Sequence, residues 1–89
     1  MLEDQNPLIE DIDASNFVKK VLEESKNKPV IVDFWAKWCN PCKQLTPILE
    51  KIITQMNGKV KLVKVDIDQN QSLAQQMQIQ SVPTVLAFF

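Results

Sequence analysis

Apolar residues change their period several times along this chain, and each change marks an element. Leu8-Ile9-Glu10-Asp11-Ile12 is short and partly alternating, which predicts a strand. Asp13 then offers an N-cap for a segment with Phe17, Val18, Val21 and Leu22 on one face, which predicts a helix running to about Lys26. Pro29 opens Val30-Ile31-Val32-Asp33-Phe34-Trp35, a β-branched and aromatic run with apolar residues on both faces. Such runs belong to strands covered on both sides, so this is the central strand. Helical spacing resumes with Leu45, Ile48, Leu49, Ile52, Ile53 and Met56, and Asn57-Gly58 is a stop signal. Pro47 lies inside that helix, removes one of its hydrogen bonds and predicts a kink. Val60 to Asp66 alternates as a third strand, Gln71 to Met77 predicts a short polar helix, and Val82 to Phe89 a fourth strand. The order β-α-β-α-β-α-β predicts an α/β fold.

Composition narrows the class. With 89 residues, 45% of them hydrophobic, the chain makes one small domain, residues 1–89, that buries roughly two thirds of its unfolded surface. The net charge is −1 and the ten basic residues are all scattered lysines, so neither a basic stripe nor an arginine fork points to nucleic acid. Met1 to Asn6 is polar and acidic without an apolar core segment, and no run approaches the roughly 20 apolar residues that span a bilayer. The expectation is a cytoplasmic protein with no membrane partner. Gly58 is the lone glycine, so turns rely on Asn, Asp and Pro. The glutamine-rich stretch from Asn70 to Gln80 reads as a solvated helix face.

Both cysteines lie in Cys39-Asn40-Pro41-Cys42, between the central strand and the following helix. One pair spaced two residues apart staples almost nothing, so its role is chemical rather than structural. Cys39 falls where a helix N-cap would be, with Pro41 at an early helical position where its missing N–H costs nothing. Unpaired backbone N–H groups and the positive end of the helix dipole stabilise a thiolate there, drawing its pKa down from the free value near ~8.5. Cys39 is thereby the nucleophile, open to collision. Cys42, one turn further in and more buried, resolves the mixed disulfide. A zinc site is disfavoured because the chain has no histidine and no second cysteine pair. Two inert buried cysteines are the plainer alternative.

Asp33 is the second anomaly, a carboxylate inside an apolar strand. Buried, it has a raised pKa and stands a few residues before the dithiol, able to relay a proton to or from Cys42. Facing solvent on an edge strand, it is an ordinary surface acid. The residues alone leave these two readings even.

Val32-Asp33-Phe34-Trp35-Ala36-Lys37-Trp38-Cys39-Asn40-Pro41-Cys42-Lys43 resembles the active-site segment of the thioredoxin family. Leu45-Thr46-Pro47-Ile48-Leu49 is similar to that family's kinked helix, Lys64-Val65-Asp66-Ile67-Asp68 to its third strand, and Ser81-Val82-Pro83-Thr84 to its cis-proline loop. The resemblance implies a three-layer sandwich around a central mixed sheet. It implies that Cys39 attacks, Cys42 resolves, Asp33 is the buried acid and Lys64 is its neighbour from the adjacent strand. It also implies that Pro83 is cis and that Val82 pairs its backbone with an extended substrate segment. Trp38, Asn40, Pro41, Val82 and Pro83 then form the docking surface, while Phe34 and Trp35 pack in the core. For Lys64 the plainer alternative is an exposed strand lysine.

The implied activity is protein-disulfide reduction, with protein disulfides as substrates, a flavin-dependent thioredoxin reductase as partner, and no bound cofactor or metal. An alternative is the N-terminal interaction domain of a co-chaperone with a tetratricopeptide-type tail, which the stretch from Gln44 to Glu50 also resembles. Two departures stand out. Asn40 replaces the family's usual glycine and alters the redox poise. Family members also continue beyond the fourth strand with a fifth strand and a helix, so the expectation is a fold truncated after that strand, either a fragment of a longer protein or a chain completed by self-association through its exposed edge.

Overall fold

The computed structural model of the chain describes residues 7–89; the polar start read for Met1 to Asn6 lies outside them. Four strands form one sheet in the order β1-β3-β2-β4. They are β1 (Ile9–Asp11), β2 (Val30–Trp35), β3 (Lys61–Asp66) and β4 (Thr84–Phe88). Two helices, α1 (Asn40–Gln55) and α2 (Gln71–Gln76), follow β2 and β3. β3 runs parallel to β1 and to β2, whereas β4 is antiparallel to β2, so the sheet is mixed and β2 is internal.

Side chains alternate across the sheet, and its two faces differ in character. Val30, Val32 and Phe34 of β2 join Val63 and Val65 of β3 with Ile12, Phe17, Val21 and Leu73 in the main apolar core, against which Leu86 and Phe88 pack. Phe17 meets Phe88 edge to face at 6.0 Å between ring centroids. The opposite face carries Asp33 and Lys64, which are register partners in β2 and β3. That face lies under α1, whose Thr46 and Glu50 bond to the same two side chains.

The first helical segment is irregular where a regular helix was expected. Turns of 3₁₀ (Ala14–Asn16), π (Val18–Glu23) and 3₁₀ (Glu24–Lys26) type succeed one another. Asp13 does cap it, accepting from Ser15 N at 2.9 Å, while its own N–H donates to Asn16 Oδ1 at 3.0 Å. Of the four residues expected on the buried face, only Phe17 and Val21 are buried; Val18 and Leu22 are exposed. A widened turn carries successive buried positions about four residues apart, which leaves a narrow stripe rather than a broad face.

α1 also departs from its expected orientation. Ile53 is buried and Leu45 and Leu49 are half-buried, but Ile48, Ile52 and Met56 face outward. The sheet face beneath is polar at its centre, and the helix meets it with Cys42, Thr46 and Glu50, spaced four residues apart. α1 ends as Asn57-Gly58 indicated, with both residues at positive φ (54° and 83°). No helix among the described residues is long and apolar enough to cross a membrane.

Candidate active site

β2 ends at Trp35, and Ile67 N donates to Trp35 O at 2.9 Å, tying the loop after β3 to the end of β2. β4 is antiparallel and begins at Thr84 opposite Phe34, so the Ser81–Pro83 segment reaches the same end of the sheet. Three connections therefore converge where α1 begins.

Cys39 is the N-cap of α1, in extended conformation (φ −90°, ψ 104°), and Pro41 follows at the second helical position. Cys42 N donates to Cys39 Sγ at 3.1 Å. A backbone N–H that α1 leaves without an intrahelical partner is thus aimed at the sulfur, the arrangement that stabilises a thiolate. The two cysteines are joined in a disulfide, with Cα atoms 5.3 Å apart, so this is the oxidised form of the dithiol.

Cys42 is buried as expected, but the expectation that Cys39 is open does not hold in this form. Cys39 is 3% exposed and Cys42 is 2%. The disulfide seats each sulfur against the other, and together with Ala36 they pack against Trp35, Ile67 and Val82. Trp38, by contrast, is 65% exposed, with Nε1 donating to Asp68 Oδ2 at 2.9 Å. Asn40 and Pro41 are exposed, and Val82 and Pro83 half-buried. The Val82–Pro83 peptide bond is cis.

Asp33 is wholly buried, so the solvent-facing alternative is excluded. Its Oδ2 accepts from Thr46 Oγ1 at 2.7 Å, and its Oδ1 has no hydrogen-bond partner among the described residues. Burial pushes its carboxyl above the usual range; the Thr46 hydrogen bond and the Lys64 charge offset this in part, and Glu50 adds to it. Lys64 stands beside Asp33 in register, yet its Nζ bonds Glu50 Oε2 at 2.6 Å and lies 3.8 Å from Asp11 Oδ1. Burial alone draws the Lys64 pKa down, but the Glu50 hydrogen bond and the charges of Asp11, Glu50 and Asp33 win and raise it. Lys64 is therefore a partly buried cation rather than an exposed strand lysine.

A cleft of about 570 Å³ opens on this flank, with Trp35, Ala36, Cys42, Thr46, Pro47 and Lys64 among its walls. Thr46 and Glu50 were missed in the sequence. Cys42, Thr46 and Glu50 recur every four residues, one face of a helix, and that spacing was the available signal. Among the described residues no group of three or more His, Cys, Asp or Glu side chains is placed to hold a metal ion.

The thioredoxin family model matches residues 9–89. A thioredoxin of Rickettsia felis is 49% identical over 74 residues, covering 83% of this chain and 69% of that protein. Thioredoxin 1 of a Nostoc species is 45% identical over 74 residues, covering 83% and 67%. A bifunctional thioredoxin reductase/thioredoxin of Mycobacterium leprae is 44% identical over 80 residues, 90% of this chain and 17% of that one. Among solved structures, chloroplastic thioredoxin z superposes with a TM-score of 0.82 at 35% identity, covering 92% of this chain and 71% of its own.

Proposed function

The chain belongs to the thioredoxin family and is a thiol–disulfide oxidoreductase of that type, and on that premise we propose how its residues divide the work. Cys39 is the attacking thiolate. The observation that carries this is the Cys42 N–H donated to Cys39 Sγ at the start of α1, because a donor fixed on that sulfur favours its charged form. A protein disulfide docks across Trp38, Asn40 and Pro41 with its backbone along Val82 and Pro83.

The Cys39 thiolate attacks one substrate sulfur, forming a mixed disulfide and expelling the other sulfur as a thiolate that takes up a proton. Cys42 then passes its proton to Asp33 through a bridging water, and Lys64 tunes that acid across the strand pair. The Cys42 sulfur attacks Cys39 Sγ, closing the intramolecular disulfide and releasing the second substrate sulfur. Two electrons have moved from the dithiol to the substrate. No bound cofactor takes part.

Thioredoxin reductase returns the electrons, a partnership supported by the Mycobacterium leprae relative that joins both functions in one name. A reducing compartment, the cytoplasm, suits that cycle. The co-chaperone alternative draws no better support, and nothing observed favours pairing of two copies through β4.

Reduction of insulin disulfides with a dithiol as electron donor tests the reading. The chain should accelerate precipitation of the insulin B chain, Cys39→Ser should abolish the effect, and Cys42→Ser should accumulate the mixed disulfide. A parent chain no faster than the dithiol alone would overturn it.

A further inference from the structure

The reductase reading makes Asp33 a group that gains and loses a proton in each cycle, and the role of its neighbour Thr46 rests on that reading. Asp33 has no exposed surface and forms no part of the cleft wall. Thr46 does both things Asp33 cannot: it lines the cleft beside Cys42, and it donates its hydroxyl to Asp33 Oδ2 at 2.7 Å. Lys64, the cation nearest in register, has its Nζ committed to Glu50 at 2.6 Å. Asp33 Oδ1 is buried and, among the described residues, unpartnered.

We propose that Thr46 is a positioning residue for the resolving step, its hydroxyl holding Asp33 Oδ2 so that the free Oδ1 is the oxygen that receives the Cys42 proton. The hydroxyl has a single donor and spends it on Oδ2, so Oδ1 is the oxygen left to take up the proton and later to return it to water. The bonds balance as in the reductive cycle: S–H of Cys42 breaks, O–H of Asp33 forms, and no further oxidant or reductant is needed.

The ionisable groups that act on Asp33 are Glu50 on α1 and Lys64 on β3, with Asp11 on β1 reached through Lys64; Cys42 lies one turn before Thr46 on α1 and lines the same cleft as Thr46 and Lys64. β4 contributes only Val85, opposite Asp33 in register. Loss of the Thr46 hydroxyl removes a donor that favours the carboxylate, so the base form of Asp33 appears at higher pH.

Single-turnover reaction with a bis(nitrobenzoate) disulfide separates the steps, because attack by Cys39 releases one coloured thiolate and resolution by Cys42 releases the second. In Thr46→Val the first release should match the parent. The second should slow roughly three- to tenfold at neutral pH, as expected for loss of one charge-assisted hydrogen bond that is only partly expressed in the rate. Raising the pH should recover it, and Thr46→Ser should restore the parent profile. A merely structural role would slow the step equally at every pH.

An unmoved pH midpoint in a folded Thr46→Val chain, or a Thr46→Ser profile that follows Val, would overturn the proposal. Should Thr46→Val fail to fold, Thr46→Ala carries the same expectation on the same readout. A parent chain inactive on insulin would instead remove the reductase reading, which keeps the two failures apart.

Discussion

At the scale of single residues, Asp33 and Lys61 are buried ionisable groups handled in opposite ways. Asp33 lacks an ion-pair partner among the described residues, so its burial raises its pKa. Below the ordinary carboxylate range it is protonated in both folded and unfolded chains. As pH rises through the raised folded pKa, the folded state must ionise a buried acid and loses stability. Asp33→Asn should therefore raise the melting temperature at neutral and alkaline pH, with the gain shrinking as pH falls toward the ordinary carboxylate range. Thermal unfolding across pH checks this, and a gain independent of pH would refute it. Lys61 is nearly as buried but lies 3.1 Å from Glu10, which also pairs with Lys20 at 3.1 Å. Burial opposes the Glu10 charge, yet the two lysines outweigh it and hold its pKa down. That stabilisation is present above the ordinary carboxylate range and is lost as pH falls through the lowered folded pKa. Glu10→Gln should cost about 2 kcal/mol at neutral pH, since it strips a buried cation of its counter-charge; urea unfolding measures it.

At the scale of elements, α1 shows what periodicity conveys and what it does not. Its start, its stop and the N-cap position of Cys39 were legible, because caps and breakers act locally on the backbone. Its rotation was not, because the expected apolar stripe presumes an apolar surface opposite. Here Asp33 and Lys64 make that surface polar, and the helix turns Cys42, Thr46 and Glu50 toward it. The positions therefore separate. Ile52→Lys, on the outward face, should change stability by less than about 0.5 kcal/mol, whereas Ile53→Ala should cost about 2–4 kcal/mol. Equal effects in urea unfolding would contradict the observed orientation. At the end of α1, Gly58 adopts φ 83°, and a Cβ there would meet only Leu8 at 3.9 Å. Gly58→Ala should thus cost about 1 kcal/mol from backbone conformation alone. The first helical segment was placed correctly from Asp13 onward, but its π turn has no separate signature in a sequence with Phe17, Val18, Val21 and Leu22.

For the molecule as a whole, topology brings the chemistry to one end of the sheet. Parallel β2 and β3 both finish there, antiparallel β4 starts there, and α1 begins there with Cys39 at its tip. Ligands in open α/β sheets bind outside the strand ends for the same reason: several loops and a helix N-terminus meet at one place. The strand order is a tertiary property, since the sequence pattern alone does not say that β3 lies between β1 and β2. The dithiol was readable from the spacing and placement of its two cysteines, whereas the burial of Asp33 and the place of Lys64 beside it came only with the family resemblance, since the residues alone left both open. The burial of Cys39 was not readable, because beside the neighbouring Trp35 it comes from Val82 and Ile67, distant in sequence, closing on the disulfide. Reduction breaks the S–S bond, and the proposed attack by Cys39 requires its thiolate to become reachable at that point.

The most direct test of the account is alkylation of the reduced chain by iodoacetamide as a function of pH, with the modified cysteine identified by mass. Cys39 should react first, with a midpoint well below the ~8.5 of a free thiol, and Cys42 should remain largely unmodified. First reaction at Cys42, or a Cys39 midpoint at the free-thiol value, would contradict the claim that the start of α1 holds Cys39 ionised for attack.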